Sequence, residues 1–390
     1  MSDASNAVDF FQGLQTLLEA SLPNPLRPWL GASTLAGLRG ALVLGPRGVG
    51  KSTQLLHLAQ EKGKFLYVSV DNIAAAGISL SAMADEAFSR GYEGVIFDEV
   101  HEGQEWAKHL KSIYDSAPRK FVWASDSNAS VLRVSSADLS RRFPRVDVPY
   151  LSFREYLALV NAGSFTPVAP FQQDARWAKG ITSKVNVLAQ FQNHLEGGMR
   201  PLFLEGSYGP RLLATLEKTI HADIPAFVPQ IQDQNFRLLK AVVRFLAQSP
   251  VPTVNVEGLC REWAIGKEKL YTLLDAMENV GILNVVRYAS DRSAMSKGAK
   301  MLLADPSLYS VLRGNEGTMR EAYVVTMARA AGLEVHAHAD ETHADFVIDG
   351  RSVEVGGRTK QRKKADVVVR AGIELPSPGV LPLWCVGFWH

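Results

Sequence analysis

The sequence predicts an α/β protein whose core is a parallel sheet covered by helices on both faces. From about residue 39, short apolar runs alternate with helical stretches. The first run, Ala41–Leu44, leads straight into Gly45-Pro46-Arg47-Gly48-Val49-Gly50-Lys51-Ser52 and then a helical pattern. A later run, Gly94-Val95-Ile96-Phe97, ends in the acidic pair Asp98-Glu99.

Taken in order, residues 7–20 read as a short amphipathic helix, and the proline-rich stretch Leu22–Pro28 follows as a connection. Strands are expected at 41–44, 65–70, 94–98, 120–125 and 146–150, with helices between them. A parallel sheet of this kind places a phosphate site at the carboxyl ends of its strands. The segment Gly45–Ser52 is a full match to the P-loop pattern G-x-x-x-x-G-K-[ST]. Its glycines Gly45, Gly48 and Gly50 let backbone N–H groups turn inward around a β-phosphate, with Pro46, Arg47, Val49 and Thr53 completing the cradle. Lys51 can reach the β- and γ-oxygens, Ser52 can ligate Mg²⁺, and the helix starting at Lys51 adds its positive end. ATP with Mg²⁺ is the ligand this implies.

The acidic strand end points to turnover rather than binding alone. Asp98 can hold the Mg²⁺ through water, and Glu99 can orient and deprotonate the attacking water.

Composition narrows the class. The chain has 390 residues, enough for two or three domains with real cores. At 46% hydrophobic and 21% charged it reads as an ordinary folded chain. No apolar stretch approaches the roughly 18 residues needed to span a bilayer, and the first residues lack the basic-then-apolar order of a signal peptide. Cys260 and Cys385 stand far apart without metal-ligand spacing, so free cytoplasmic thiols and a cytoplasmic location are expected. A net charge of +2 means that any hold on nucleic acid must come from local basic patches.

The pattern divides the chain into an N-terminal helix and linker (1–35), a P-loop core (36–165), a helical lid (166–230), a smaller helical unit (231–312) and a last α/β unit (313–390). In the fourth, helices are expected at 235–248, 256–264 and 267–279, with Ile265-Gly266 as a tight turn and a strand at 282–288. Three helices, a glycine-containing turn and a β-wing describe a winged helix-turn-helix. In the third helix Leu270, Leu273, Leu274 and Met277 form the core stripe, while Lys267, Lys269 and Tyr271 fall away from it, as on a recognition helix. The wing carries Arg287, Arg292, Lys297 and Lys300, suited to phosphates. A winged helix used only for protein contacts is the competing reading. The last unit alternates a helix (318–332) with strands at 345–348, 352–355, 366–370 and 381–386. Between two of these strands runs Arg358-Thr359-Lys360-Gln361-Arg362-Lys363-Lys364, five cations in seven residues. Such a run is either a solvated loop or a phosphate-binding edge.

Several stretches together resemble a known family. They are Gly45–Thr53, Val95-Ile96-Phe97-Asp98-Glu99-Val100-His101 with Trp106, Leu151-Ser152-Phe153-Arg154-Glu155-Tyr156-Leu157, Gly197-Gly198-Met199-Arg200-Pro201, and Ala344-Asp345-Phe346-Val347-Ile348 with Val353-Glu354-Val355. In these the chain resembles the bacterial and archaeal ATPases that join an AAA+-like module, a winged helix and a C-terminal restriction-endonuclease-like domain. The resemblance implies a polar sensor at the end of the fourth strand, here Ser125-Asp126-Ser127, with Ser125 the first candidate. It also implies an arginine at Arg142 that would touch γ-phosphate charge in cis or across a subunit boundary, the latter through a homo-oligomer of the ATPase core. Arg200 is a weaker second-sensor candidate, because the family often has Gly-Gly-x-Pro without the inserted residue.

A metal-dependent nuclease of this fold needs two strand carboxylates and a lysine beside them. Asp345 and Glu354 fit the carboxylates, and Glu321 can join them. The lysine is expected two residues after Glu354, where this chain has Gly356. Lys360 would have to fold back to replace it, so a retained fold without cleavage is expected. The whole then reads as an AAA+-like ATPase coupling ATP turnover to the binding or remodelling of duplex or branched, repair-associated DNA. An ATP-dependent DNA nuclease and a slowly turning nucleotide-gated switch are the rivals.

Overall fold

The computed structural model describes residues 3–127, 137–228, 230–250, 256–289, 300–340, 342–361 and 364–390. The chain divides into two compact units, Met1–Pro149 and Tyr150–His390.

In the first unit, β1 (Gly40–Leu44), β2 (Phe65–Ser69), β3 (Gly94–Asp98), β4 (Phe121–Asp126) and β5 (Arg145–Asp147) form one sheet in the order β2-β3-β4-β1-β5. Every neighbouring pair is parallel. β1 and β3 are buried along their whole length, which is why they read as unbroken apolar runs instead of alternating ones. β5 is one of the two edges: it is shorter than the run 146–150 suggested, and its Arg145 and Asp147 are exposed. Helices α1 (Asp3–Ala20), α2 (Gly31–Gly37), α3 (Lys51–Lys62), α4 (Leu80–Ser89) and α5 (Trp106–Ser116) complete this unit's longer elements. α1 brings Ala7, Val8 and Phe11 into the cluster formed by Leu66 and Val68 of β2 and Met83, Ala84 and Ala87 of α4. The three central strands are β3, β4 and β1. Their carboxyl ends therefore gather Asp98-Glu99, Ser125-Asp126 and the P-loop at one rim of the sheet.

The second unit opens with a helix at Phe153–Leu159, started by a capping box in which Ser152 and Glu155 exchange hydrogen bonds with each other's backbone N–H. Helices at Ala175–Thr182, Val187–Gly197 and Tyr208–Lys218 follow. Arg200 lies buried here: its Nε donates to the buried Asp305 carboxylate at 2.6 Å and its guanidinium stands over the Tyr150 ring. It serves as the internal counter-charge of Asp305.

Helices at Asp233–Gln248, Val256–Glu262 and Lys267–Asn279 precede an antiparallel ribbon of β6 (Leu283–Val286) and β7 (Lys300–Leu303), paired Leu283 to Leu303. The longest remaining helix, Glu316–Ala330, packs on a five-stranded sheet. Its strands are β8 (Val335–Ala337), β9 (Phe346–Ile348), β10 (Arg351–Gly356), β11 (Val367–Arg370) and β12 (Val380–Pro382), in sequential order across the sheet. The β8-β9 and β9-β10 pairs are antiparallel, and the β10-β11 and β11-β12 pairs are parallel. The strand expected at 381–386 ends at Pro382, and Leu383–Val386 turns into a helix. Proline has no N–H to extend the ladder, and its fixed φ of −59° suits the entry to a helix. Among the described residues, no helix is long and apolar enough to cross a membrane.

Candidate active site

The P-loop is wound by glycines at positive φ, Gly48 at 77° and Gly50 at 93°, the latter capping α3. A side chain at either would strain the backbone. Behind the loop the buried Arg27 donates from Nη1 to the Val49 carbonyl at 2.9 Å, and Gln54 of α3 donates to the Arg27 carbonyl at 3.1 Å. Lys51 is buried and folds onto the loop, donating to the carbonyls of Gly45 at 2.8 Å and Pro46 at 3.2 Å. Burial lowers its pKa, against the pull of the Glu99 and Asp98 carboxylates. Thr53 stands in the first turn of α3.

Asp98, at the end of β3, accepts four hydrogen bonds. The Ser52 hydroxyl donates at 2.5 Å, Tyr67 at 2.6 Å, the Glu99 N–H at 3.1 Å, and Ser125 at still shorter range. The Tyr67 phenol is pushed well up by burial and by the Asp98 charge beside it. Ser52 and Asp98 together present adjacent hard oxygens, the ligands that Mg²⁺ takes, so these residues fit the expected ion.

Glu99 sits in the left-handed region, φ 52° and ψ 50°, unusual for a non-glycine residue. Its carboxylate accepts from Arg47 Nη1 at 2.7 Å and from the Ser127 hydroxyl at 3.3 Å. Burial raises its pKa, while Arg47 and Lys51 oppose the rise. A raised carboxyl pKa brings a base nearer to neutral operating pH.

Beside Glu99 lies a pairing that the sequence reading did not foresee, between His101 and Asp126 of the expected sensor stretch. The buried Asp126 carboxylate accepts from the His101 N–H at 3.2 Å and meets the His101 ring Nδ1 at 2.9 Å. The same nitrogen is 3.8 Å from Glu99, and Nε2 is 3.3 Å from Glu102. Burial works against protonation of this ring, but the Asp126 hydrogen bond and the surrounding carboxylates prevail and raise its pKa to about 9. Donor atoms of Glu99, His101 and Asp126 lie within 4.8 Å of one another. The trio is joined through the contact of the His101 ring with Asp126 and its approach to Glu99. The sequence signals for it were His101 two positions after Glu99 and Asp126 in the polar stretch at the end of the fourth strand.

Of the expected residues, Gly45 to Thr53, Asp98, Glu99 and Ser125 converge on the one rim. Ser125 meets Asp98 there. Arg142 does not join them, which corrects its placement in cis. Its carbonyl lies 2.8 Å from where a Gly40 side chain would begin, at the amino end of β1, and its guanidinium makes a two-pronged pair with Asp115 at 2.7 and 3.0 Å.

In the second unit, Lys267 is exposed near the Tyr271 ring, Lys269 is partly buried and donates to the Gln230 carbonyl at 3.2 Å, and Arg287 pairs with Glu278 at 2.7 Å. Arg292, Lys297, Arg362 and Lys363 lie outside the described residues. Arg358 and Lys364 are exposed. Two lysines depart from expectation. Lys300, placed on a phosphate-facing wing by the sequence, is only 6% exposed and reaches Glu321 at 3.2 Å and Asp345 at 3.4 Å. Lys360, expected to face DNA, turns inward to Glu354 at 2.7 Å. Its stem fills the space over Gly356, where a Cβ would meet Lys360 Cγ at 2.5 Å. The bare Gly356 therefore does not leave Glu354 without a cation. Burial raises the Glu321 pKa to about 7, with Lys300 opposing and Asp345 adding to the rise.

Residues 39–157 match the family described as an AAA domain. Among curated proteins no sequence matches the chain. Among solved structures it is similar to a Walker-type ATPase of Pyrococcus abyssi, at 14% identity and TM-score 0.41, over 72% of this chain and 93% of that one. It is similar also to AMPPCP-bound DnaA from Aquifex aeolicus, at 14% identity and TM-score 0.26, over 64% and 86%. A third is C. elegans PCH-2, at 16% identity and TM-score 0.25, over 39% of this chain and 44% of that one.

The His101–Asp126 pair makes a pH prediction. A ring whose pKa rises from 6.5 to about 9 on folding contributes stability that is complete below pH 6.5 and is lost as pH climbs through about 9. The melting temperature should therefore fall across that interval in the parent protein, and His101→Asn should remove part of the slope. Equal slopes in the two proteins by scanning calorimetry would contradict a charged His101.

Proposed function

We propose that the chain is an AAA-type ATPase that couples ATP turnover to its grip on DNA. The convergence of Lys51, Ser52, Asp98 and Glu99 at one sheet rim carries the ATPase part. In the working cycle Lys51 exchanges the Gly45 and Pro46 carbonyls for phosphate oxygens. Ser52 and Asp98 would hold Mg²⁺, which would neutralise phosphate charge. Glu99 orients a water toward the γ-phosphorus and takes its proton as the new oxygen–phosphorus bond forms and the bond from the γ-phosphorus to the β–γ bridging oxygen breaks, with ADP as the leaving group. Arg142 stays a candidate for contact across a subunit boundary, since its pair with Asp115 is partly exposed.

The DNA part rests on the helix–turn–helix order of residues 233–279, the ribbon after it, and exposed Lys267, Arg358 and Lys364. These elements support a winged helix with a recognition helix at Lys267–Asn279, and a nuclease-like sheet whose basic edge holds phosphates. Lys300 supports binding without cleavage: its ammonium lies between Glu321 and Asp345, where a metal would be needed. One observation favours a second reading, an ATP-dependent nuclease. Lys360 stands beside Glu354 in the manner that such chemistry needs.

Lys51→Ala should abolish ATP binding. Glu99→Gln should keep binding while turnover drops by roughly 10²-fold or more. Phosphate release by Glu99→Gln at the parent rate would remove Glu99 as the base.

Duplex or branched DNA should stimulate the ATPase, and neutralising Lys267 with Lys269 should weaken binding and reduce the salt slope by about one unit per lost phosphate contact. A slope and affinity equal to the parent's would move this segment to protein contacts, and ATP turnover indifferent to DNA would favour the switch.

With Mg²⁺ or Mn²⁺ present, DNA should be bound and left uncut. Cleavage that disappears in both Asp345→Ala and Lys360→Ala would establish the nuclease instead.

A further inference from the structure

We propose that Arg47 is a latch on Glu99: it holds the base in the empty enzyme and surrenders it when the phosphates of ATP claim its guanidinium. The proposal deepens the ATPase reading and rests on it. Arg47 belongs to the P-loop itself, between Pro46 and Gly48, yet its Nη1 lies 2.7 Å from Glu99 Oε1 across the site. Both side chains are largely buried, 10% and 15% exposed, so the pair is weakly screened by water. A guanidinium binds phosphate in the same forked manner as carboxylate, so the incoming triphosphate is a direct competitor for it.

The rest of the loop is arranged for the same exchange. Lys51 rests on the Gly45 and Pro46 carbonyls, acceptors that phosphate oxygens would replace. Glu99 is meanwhile held in a left-handed backbone conformation that L-residues avoid, with Arg47 and Ser127 as partners of its carboxylate. While Arg47 occupies Glu99, the carboxylate is neutralised and a poor acceptor for a water's proton. Transfer of Arg47 to phosphate would switch the base on only when substrate is present. Arg47 is in this sense a positioning residue, acting through Glu99.

The alternative is a static pair that stays closed during binding, and the two predict opposite couplings. If Arg47 leaves, Glu99→Gln tightens ATP binding twice over: the pair to be broken is weaker, and no bare carboxylate is left facing the phosphates. With Arg47→Ala only the second gain remains. If the pair stays closed, Glu99 is already neutralised in the parent, and Glu99→Gln helps only when Arg47 is absent.

The test is the affinity of AMPPNP for the parent, Arg47→Ala, Glu99→Gln and the double variant of the full chain, measured by calorimetry with Mg²⁺. Glu99→Gln should tighten binding on the order of tenfold with Arg47 present, and about fivefold less than that without it. A tightening that is equal or larger in the Arg47→Ala background overturns the latch. Absence of AMPPNP binding by the folded parent instead overturns the ATPase reading beneath it. Arg47→Gln, which keeps more of the side-chain volume, runs the same cycle if Arg47→Ala melts below the assay temperature.

Discussion

Asp98 is only 5% exposed, and a buried charge of this kind is tolerated only when its lone pairs are filled. Its four donors come from different places: Tyr67 from β2, Ser52 from the first turn of α3, Ser125 from β4, and the backbone of Glu99. They meet because β3 lies between β2 and β4, with Tyr67 beside Ile96 and Phe97 beside Ala124. A slip of β4 by one residue would turn Ser125 to the opposite face of the sheet and leave an acceptor unfilled. The sheet register and the electrostatics of the nucleotide site are therefore one constraint. Loss of the Asp98 network would loosen the rim that also seats Glu99 and the P-loop.

Much of this was legible beforehand because it depends on local rules. β1, β2, β3 and β4 announce themselves as apolar runs, and the P-loop has a fixed spacing that only its glycines can fold. Helices 233–248, 256–262 and 267–279 follow from periodicity and from punctuation at Ser249 and Gly266. What could not be read was the side-chain pairing over long sequence separation. Arg47 to Glu99, His101 to Asp126 and Lys300 to Asp345 leave no periodic trace, because each joins residues whose proximity is created by the sheets. The placement of Arg142 in cis went astray for the same reason. Position in a motif says nothing of which end of a parallel strand the residue approaches.

Gly356 shows how a residue type can mislead when its neighbours in space are unknown. Read along the strand, a glycine where lysine is expected means a missing cation. In the fold it means room, and the stem of Lys360 fills that room to bring its ammonium to a fully buried Glu354. The positive charge has moved in sequence while remaining in place.

The two charged sites therefore balance themselves in different ways. Around Glu321 and Asp345 the counter-ion is Lys300, 7% exposed at its side chain and fixed in the ribbon strand β7, so displacing it would leave an ammonium stranded in the interior. Around Glu99 the counter-ion is Arg47, carried on a loop whose neighbouring cation, Lys51, is satisfied by backbone carbonyls that lose little when released. A phosphate entering the first site could not recruit Lys300 without breaking the core. At the P-loop it finds two within reach, and each can change partners without leaving the site. The physical difference between a closed cluster and a working one lies in this exchangeability, more than in the number of carboxylates or lysines each contains.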